Sequence, residues 1–225
     1  MTLNKIGMVA ADTSRTLCYI EELIKHNLKP NHVILLINNE ENLLPGQNNN
    51  ELCSKIIEIL DLEAITYEIS SNSDINSKEV LDILLQRSES TFIFSGFGGV
   101  LLRNNILDSG KKFLHVHGGY LPNYKGSTTN YFSLLEENVI GASSIFLTKD
   151  IDCGPVLARK FFSAPIDRTE IDHIYDSKAR AEVLIETLQK YKDLGFFDFD
   201  LNSNVGGETF YVIHPVLKHL AILGE

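Results

Sequence analysis

Short apolar segments alternate with helical segments along the first half of the chain, and this alternation constrains the fold most. The apolar segments are Ile6–Ala11, Val33–Ile37, Ala64–Ile69, Thr91–Ser95 and Phe113–His117. Each is short enough to be a buried strand, and apolar residues recur at helical spacing between them. A strand–helix–strand unit implies parallel strands with a right-handed crossover. We therefore predict an α/β fold, a Rossmann-like open and mostly parallel sheet with helices on both faces.

The second half of the chain has a less regular set of segments. We predict a helix, two paired strands, a long helix, a late strand and a terminal helix, at Thr129–Leu135, Ser143–Thr148 with Val156–Phe161, Glu170–Tyr191, Thr209–Ile213 and Pro215–Leu223. The polar stretch Asn38–Asn50 predicts a loop, since it contains Pro45-Gly46. We expect a main domain of residues 1–195 and a short C-terminal strand–helix appendage of residues 196–225.

The charge and the cysteines exclude several classes of protein. The 225 residues carry a formal net charge of −10 without a long Lys/Arg run, which argues against a nucleic-acid partner. Three widely spaced cysteines (Cys18, Cys53 and Cys153) suggest neither a disulfide framework nor a metal site of the CxxC type. No signal-peptide pattern follows Met1, and no apolar stretch is long enough to span a membrane. We therefore expect a cytoplasmic protein without a membrane partner.

Two short motifs carry the residue types that chemistry needs. The first is Phe113-Leu-His-Val-His-Gly-Gly-Tyr-Leu-Pro-Asn-Tyr-Lys-Gly126, and the second is Ile151-Asp-Cys-Gly-Pro155. Histidines spaced by one residue point to the same side of a strand. Ligands of such sheets bind beyond the carboxyl ends of the strands, where the first motif and Ser95-Gly-Phe-Gly-Gly99 both lie. Acyl-type transfer calls for a proton shuttle, a partner that orients it and donors for an oxyanion, and this grouping provides candidates for each.

The same residues resemble a known family. His117-Gly-Gly-Tyr-Leu-Pro-Asn-Tyr-Lys-Gly126, then Gly141 before a strand, then Asp152-x-Gly-Pro155 are similar to the tetrahydrofolate-dependent formyltransferases. That family includes glycinamide ribonucleotide, methionyl-tRNA and nucleotide-sugar formyltransferases. The resemblance is strongest over Phe92–Ile166. Its Leu-Pro-x-x-x-Gly loop is present, whereas its usual Pro-Ser before the loop is replaced by Gly118-Gly119.

The resemblance assigns roles to individual positions. The family uses an Asn-x-His pair and a later Asp, which correspond to His115, His117 and Asp152, so that a histidine stands where the family has asparagine. It implies that His117 relays a proton, that Asp152 fixes the ring and favours its cationic form, and that a ring N–H of His115 donates to the oxyanion. Residues implied to bind folate are Phe94, Ser95, Gly96, Phe97, Leu147 and Asp150. Residues expected at the acceptor are Gly118, Gly119, Tyr120, Tyr124 and Lys125.

By this resemblance, a formyl group moves from N10-formyltetrahydrofolate to an amino group of a small acceptor. A nucleotide-linked amino sugar is favoured. A tRNA is disfavoured, because few residues follow the long helix and the chain is acidic. Two histidines and an aspartate also permit a zinc site, but the predicted chemistry needs no metal.

Other functions stay open at this point. They are hydrolysis of formyl-folate, formylation of a carrier-bound aminoacyl group, and a catalytically silent folate-binding homologue, which the histidine at position 115 keeps plausible. The late apolar strand Thr209–Ile213 would allow either a homodimer, by pairing with a partner's edge, or a return onto its own sheet.

Overall fold

A computed structural model of the chain describes residues 2–37 and 49–224. The loop predicted at Asn38–Asn50 lies outside the described residues, except for the last two, at which a helix begins. The chain divides into two compact units, Met1–Leu114 and His115–Glu225. These units are defined by compactness, so they do not test the expected main domain of residues 1–195 and the appendage of residues 196–225. Both stay predictions.

The first unit contains the parallel part of the main sheet. Its strands are β1 (Thr2–Leu3), β2 (Ile6–Ala11), β3 (Lys29–Pro30), β4 (His32–Leu36), β5 (Thr66–Ser70), β6 (Thr91–Ser95) and β7 (Lys112–His117), the last of which runs into the second unit. Its helices are α1 (Ser14–Lys25), α2 (Asn49–Leu62), α3 (Lys78–Gln86) and α4 (Asn104–Leu107). β2 pairs in parallel with β4 and β6, β4 with β5, and β6 with β7. Short β1 and β3 form a separate parallel pair.

Local sequence explains these elements. All six residues of β2 are buried, as expected for a strand inside a parallel sheet. The side chain of Thr13 accepts a hydrogen bond from the backbone N–H of Thr16 and caps α1. Ser77 caps α3 in the same way, by accepting from Val80. The predicted strand–helix alternation is therefore confirmed, with boundaries that move by a few residues.

The second unit adds antiparallel pairing and the C-terminal elements. Its further strands are β8 (Tyr124–Gly126), β9 (Val139–Phe146), β10 (Val156–Ser163) and β11 (Glu208–Phe210), and its helices are α5 (Thr129–Glu137), α6 (Asp176–Leu194) and α7 (Pro215–Leu223). β9 and β10 pair with each other, as predicted, and the pairing is antiparallel. The main sheet has seven strands in the order β10-β9-β7-β6-β2-β4-β5. This open, mostly parallel sheet with its helices confirms the predicted Rossmann-like fold class.

The long helix begins later than the sequence suggested. Arg168–Glu170 forms a 3-10 turn and Ile171–Tyr175 a π-helical turn before α6 starts. The carboxylate of Asp167 accepts from the backbone N–H of Thr169 and thereby starts the tighter turn. Helical spacing of apolar residues does not distinguish these turn types, so the prediction of one helix from Glu170 is wrong for its first residues.

The last strand pairs within its own chain. β11 runs parallel to β8, in a two-stranded sheet separate from the main one. α7 follows, with Pro215 in its first turn, as the sequence predicted. The side chain of His214 caps it by accepting from the backbone N–H of Val216. A homodimer stays a prediction. Among residues 2–37 and 49–224, no helix has both the length and the apolar character needed to cross a bilayer.

Candidate active site

His117 ends β7 and lies in the second unit, with its side chain buried. Its Nε2 atom lies 2.7 Å from the backbone carbonyl oxygen of Tyr124. A carbonyl oxygen only accepts, so Nε2 carries the hydrogen and donates it. In the neutral ring the lone pair is therefore on Nδ1. The loop after β7 thus fixes the tautomer of the histidine that the sequence singled out.

Asp152 meets the other ring nitrogen. Its Oδ2 atom lies 3.4 Å from Nδ1 of His117 and accepts a hydrogen bond of 2.9 Å from the backbone N–H of Gly126. Asp152 is buried and has a left-handed backbone conformation, with φ of +51°. The structure therefore brings together two residues that are far apart in the sequence, as their predicted roles require.

The charge state of His117 depends on competing influences. Burial lowers the pKa of His117 and has the largest effect; Asp152 raises that pKa, and Arg180 lowers it. Burial prevails, so the net direction is below the ordinary value of histidine. Burial thus favours the neutral imidazole, while Asp152 favours its protonated form. The influence of Asp152 on this pKa has the direction that the resemblance implied, and the catalytic roles of both residues stay predictions.

Glycine is required at two points of the loop. A Cβ atom on Gly119 would lie 2.6 Å from both Nε2 of His117 and the carbonyl oxygen of Tyr124, and 2.7 Å from Oγ1 of Thr129. Gly126 has φ of +99°, and a Cβ there would collide with the carbonyl oxygen of Phe210. Gly119 lets the backbone come close to His117, and Gly126 lets β8 come close to β11.

A polar network that the sequence analysis missed supports the end of β7. Arg180 donates from Nη1 to the carbonyl oxygen of Val116 at 2.7 Å, and from Nε to Oδ2 of Asp176 at 2.7 Å. Asn130 donates to Oδ1 of Asp176 at 3.1 Å and accepts from the backbone N–H of Gly141 at 2.8 Å. These contacts fix the backbone next to His117. No sequence motif indicates them, since they join four separate segments: β7, α5, β9 and α6.

The structure gives Tyr124 and Lys125 partners within the protein. The hydroxyl of Tyr124 lies 2.9 Å from Oε2 of Glu136 and 2.7 Å from Oε1 of Glu137, while Lys125 is buried and donates to two backbone carbonyls. Burial is the largest cause that raises the pKa of Tyr124, and the two carboxylates add to it. These contacts give both side chains structural roles. Their predicted contact with an acceptor stays a prediction.

The remaining residues predicted at the acceptor line the loop after His117. Thr129 donates from its hydroxyl to the carbonyl oxygen of Gly118. The ring of Tyr120 stacks on that of Phe161, with centroids 3.9 Å apart and planes 5° apart. Tyr120 is half-buried and Phe161 is exposed. An aromatic surface therefore lies beside the loop, as stacking on a ring-shaped acceptor would require.

His115 is also in β7, two residues before His117. Alternation along the strand puts the two side chains on one face of the sheet. His115 is half-buried whereas His117 is buried. Its predicted role as an oxyanion donor stays a prediction.

The residues predicted to bind folate are distributed over both units. Phe94, Ser95, Gly96 and Phe97 belong to the first unit, at the end of β6, and Leu147 and Asp150 to the second, in the connection between β9 and β10. Ser95 is buried, and its hydroxyl lies 2.9 Å from that of Thr16. Asp150 is exposed. A folate site made from these residues stays a prediction.

A metal at His117 has no support in the geometry. The Nε2 atom of His117 already donates to the carbonyl oxygen of Tyr124, so only Nδ1, beside Asp152, has a lone pair for a metal in the neutral ring. Within the part of the chain that the structure describes, no three His, Cys, Asp or Glu side chains are grouped so that they could hold a metal ion.

Comparison with known proteins shows the family of the chain. A family model described as formyl transferase matches residues 5–187. The chain belongs to the formyl transferase family. A methionyl-tRNA formyltransferase of Finegoldia magna is 28% identical over 171 residues, which are 75% of this chain and 49% of that protein. This formyl transferase chain thus spans about half the length of that curated relative.

Solved structures share the fold of this formyl transferase chain. HypX from Aquifex aeolicus in complex with tetrahydrofolic acid has a TM-score of 0.61 at 13% identity, over 95% of this chain and 30% of HypX. A sugar N-formyltransferase from a Shewanella species has a TM-score of 0.59 at 13% identity, over 97% of this chain and 87% of that one. At such low identity these likenesses establish the fold.

Proposed function

We propose that this chain transfers a formyl group from N10-formyltetrahydrofolate to a primary amine of a small acceptor. The observation that carries this proposal is the buried His117, with Nδ1 beside the carboxylate of Asp152. A neutral imidazole is a suitable base near neutral pH, and the carboxylate stabilises the imidazolium formed when the ring takes a proton. Membership of the formyl transferase family supports the choice of donor.

The proton balance of the reaction fits one ring nitrogen. The acceptor nitrogen attacks the formyl carbon and a C–N bond forms, so this nitrogen must lose a proton. His117 takes that proton at Nδ1, because Nε2 already donates to Tyr124. When the bond between the formyl carbon and N10 breaks, His117 returns a proton to N10. The products are the formamide and tetrahydrofolate, and the enzyme is regenerated.

The formyl oxygen becomes negative in the tetrahedral intermediate and needs a donor. His115 is the candidate donor, since it shares a strand face with His117 and each imidazole carries at least one N–H. The family's asparagine would provide an amide N–H at the same strand position. Chemistry at position 115 therefore requires an N–H donor rather than one residue type.

A nucleotide-linked amino sugar is the acceptor that we favour. The Shewanella protein is named as a sugar N-formyltransferase and shares its fold with nearly the whole of this chain. The exposed ring of Phe161, stacked on Tyr120, offers a surface for a base or a sugar ring. The Finegoldia relative is named for methionyl-tRNA, which makes that RNA the acceptor to test against the sugar.

The test is an assay of the purified chain with N10-formyltetrahydrofolate and one acceptor at a time. The acceptors are amino sugars linked to dTDP, UDP or GDP, methionyl-tRNA, and a carrier-bound aminoacyl group, with water alone as the last arm. Mass spectrometry detects the formamide, and tetrahydrofolate is measured in parallel. We expect formylation of one amino sugar and only slow release of formate with water alone.

Two variants show whether this site is responsible. His117→Asn should abolish formylation, whereas the exposed His219→Ala should leave it unchanged. If formyl-folate is consumed at the same rate in the water-only arm as in every amine arm, the protein is a formyl-folate hydrolase. Tight folate binding without turnover in any arm would reveal a silent homologue and end the proposal.

A further inference from the structure

The side chain of Asn204 holds the backbone on both sides of the Asp152 turn. Its Nδ2 atom donates to the carbonyl oxygen of Asp152 at 2.7 Å and to that of Gly154 at 2.8 Å. Both partners only accept, so the amide nitrogen must face them. Asn204 is buried, and its Oδ1 atom has no hydrogen-bond partner among the described residues. The contribution of this side chain therefore lies in its two donated bonds.

The segment that carries Asn204 is itself fixed. The buried amine of Lys125 donates to the carbonyl oxygen of Asn204 at 3.1 Å and to that of Gly206 at 2.6 Å. The hydroxyl of Ser203 accepts from the backbone N–H of Val156 at 3.0 Å. Asn204 is thus a rigid support rather than a side chain of a free loop.

The same segment also fixes the strand that contacts His117 and Asp152. β11 pairs in parallel with β8, with Glu208 opposite Tyr124 and Phe210 opposite Gly126. β8 provides the carbonyl oxygen that accepts from His117 and the backbone N–H that donates to Asp152. Residues 203–210 therefore support both sides of the candidate catalytic pair.

Asp152 needs such support because of its backbone. Its φ of +51° lies in the left-handed region, which is sparsely populated by residues other than glycine. Such a conformation persists where the surroundings hold it in place. The two hydrogen bonds from Asn204 hold the carbonyl of Asp152 itself and that of Gly154.

We propose that Asn204 is a positioning residue of the formyl-transfer site, which keeps the carboxylate of Asp152 against Nδ1 of His117. This inference rests on the proposed function for its catalytic consequence, but its structural content stands independently. Asn204 acts through Asp152. Residues 196–225, which were expected to form a C-terminal appendage, thereby gain a role in the site.

The test compares Asn204→Ala with Asn202→Ala, in which an exposed asparagine two residues earlier is changed. The first readout is amide hydrogen exchange at Gly126, because that N–H bonds to the carboxylate of Asp152. The amide of Gly141, which bonds to Asn130, is the internal reference. In Asn204→Ala we expect exchange at Gly126 to accelerate about tenfold or more while exchange at Gly141 stays unchanged. Asn202→Ala should change neither.

The second readout is steady-state kinetics. Asn204→Ala should lower kcat about tenfold or more with little change in KM, because a displaced Asp152 carboxylate no longer orients His117 for the reaction and substrate binding stays intact. Asn204→Asp has the same size but turns a carboxylate oxygen toward two carbonyl oxygens, so its loss should be at least as large. Wild-type values for both kcat and Gly126 exchange in Asn204→Ala would overturn the inference. The inference would also be overturned if the amide of Gly141 accelerated as much as that of Gly126 in Asn204→Ala, or if this variant failed to fold. Either result would make Asn204 a general stabiliser of the fold.

Failure of the proposed function can be distinguished from failure of the inference about Asn204. A wild-type chain that formylates no amine refutes formyl transfer, and the exchange rates at Gly126 and Gly141 still decide whether Asn204 positions Asp152.

Discussion

The Nε2 atom of His117 donates to the carbonyl oxygen of Tyr124 across 2.7 Å, and this bond assigns separate tasks to the two ring nitrogens. In the proposed reaction, Nε2 holds the ring in place, and Nδ1, 3.4 Å from Asp152, exchanges the proton. One backbone carbonyl would thereby decide which nitrogen performs the proposed chemistry.

Activity should fall as the pH is lowered, because His117 must be neutral to accept a proton. Burial lowers the pKa of His117 below its ordinary value of 6.5, so activity should be on its plateau at neutral pH and half-maximal below that value. The pH dependence of kcat/KM and an NMR titration of the labelled imidazole measure this. A half-point above 6.5 would contradict it.

The same shift should affect stability. The unfolded chain binds a proton at position 117 more readily than the folded one, so the free energy of unfolding should decrease as pH falls from about 6.5 to the folded pKa, and level off below it. His32, whose pKa burial also lowers, contributes in the same direction. Urea unfolding of wild type and His117→Asn at several pH values isolates the share of His117 as the difference between the two curves.

Asp152→Asn removes the negative charge of the side chain and keeps its size, so it tests the electrostatic effect of Asp152 on His117. The carboxylate raises the pKa of His117, so its removal should lower that pKa further. Formyl transfer should fall about 10²–10⁴-fold, the range typical of losing acid–base assistance. The histidine titration and kcat measure the two effects, with the exposed Asp193→Asn as the matched control. A raised His117 pKa in Asp152→Asn would refute the assigned interaction.

Gly119→Ala should displace the pair through its backbone. The added methyl group would lie 2.6 Å from Nε2 of His117 and from the carbonyl oxygen of Tyr124, so their hydrogen bond must lengthen or break. We expect about 10²-fold lower kcat and about 1–3 kcal/mol less stability from the overpacking. Turnover and thermal unfolding measure the two effects. An active, fully stable variant would mean that the loop relaxes at no cost.

Position 115 should tolerate one exchange and not another. His115→Asn restores the amide donor of the family and should retain formyl transfer. His115→Ala removes the N–H and should lose about 2.7–4 kcal/mol of transition-state stabilisation. Comparing kcat of the two variants with that of the wild type gives the answer. Equal turnover in all three would remove His115 from the mechanism.

The strands and helices with strong local signals could be predicted from the sequence. Thr91–Ser95 and Pro215–Leu223 have the predicted bounds, because an uninterrupted apolar run and a proline at the first helical position are local features. The start of α6 could not be predicted, since the turn capped by Asp167 precedes it. Helical periodicity alone does not reveal that interruption.

In the candidate site, the sequence indicated the side chains that belong to a motif. It did not indicate the side chains that hold those residues in place. His117 and Asp152 stand in recognisable motifs, whereas Asn204 contacts the Asp152 turn from a distant segment that has no motif of its own. The Tyr124 carbonyl had no sequence signal, because every residue has a backbone oxygen. Lys125 was expected at the acceptor, and its burial against carbonyl groups was not visible in the sequence.

The parallel pairing of β8 with β11 has a consequence for the order of events in folding. The two strands are far apart along the chain, and contacts of large sequence separation form slowly, because a long loop must close first. During refolding, most of the secondary structure should therefore return before formyl transfer does. Recovery of turnover, rather than recovery of ellipticity, would then report the moment at which the last strand docks.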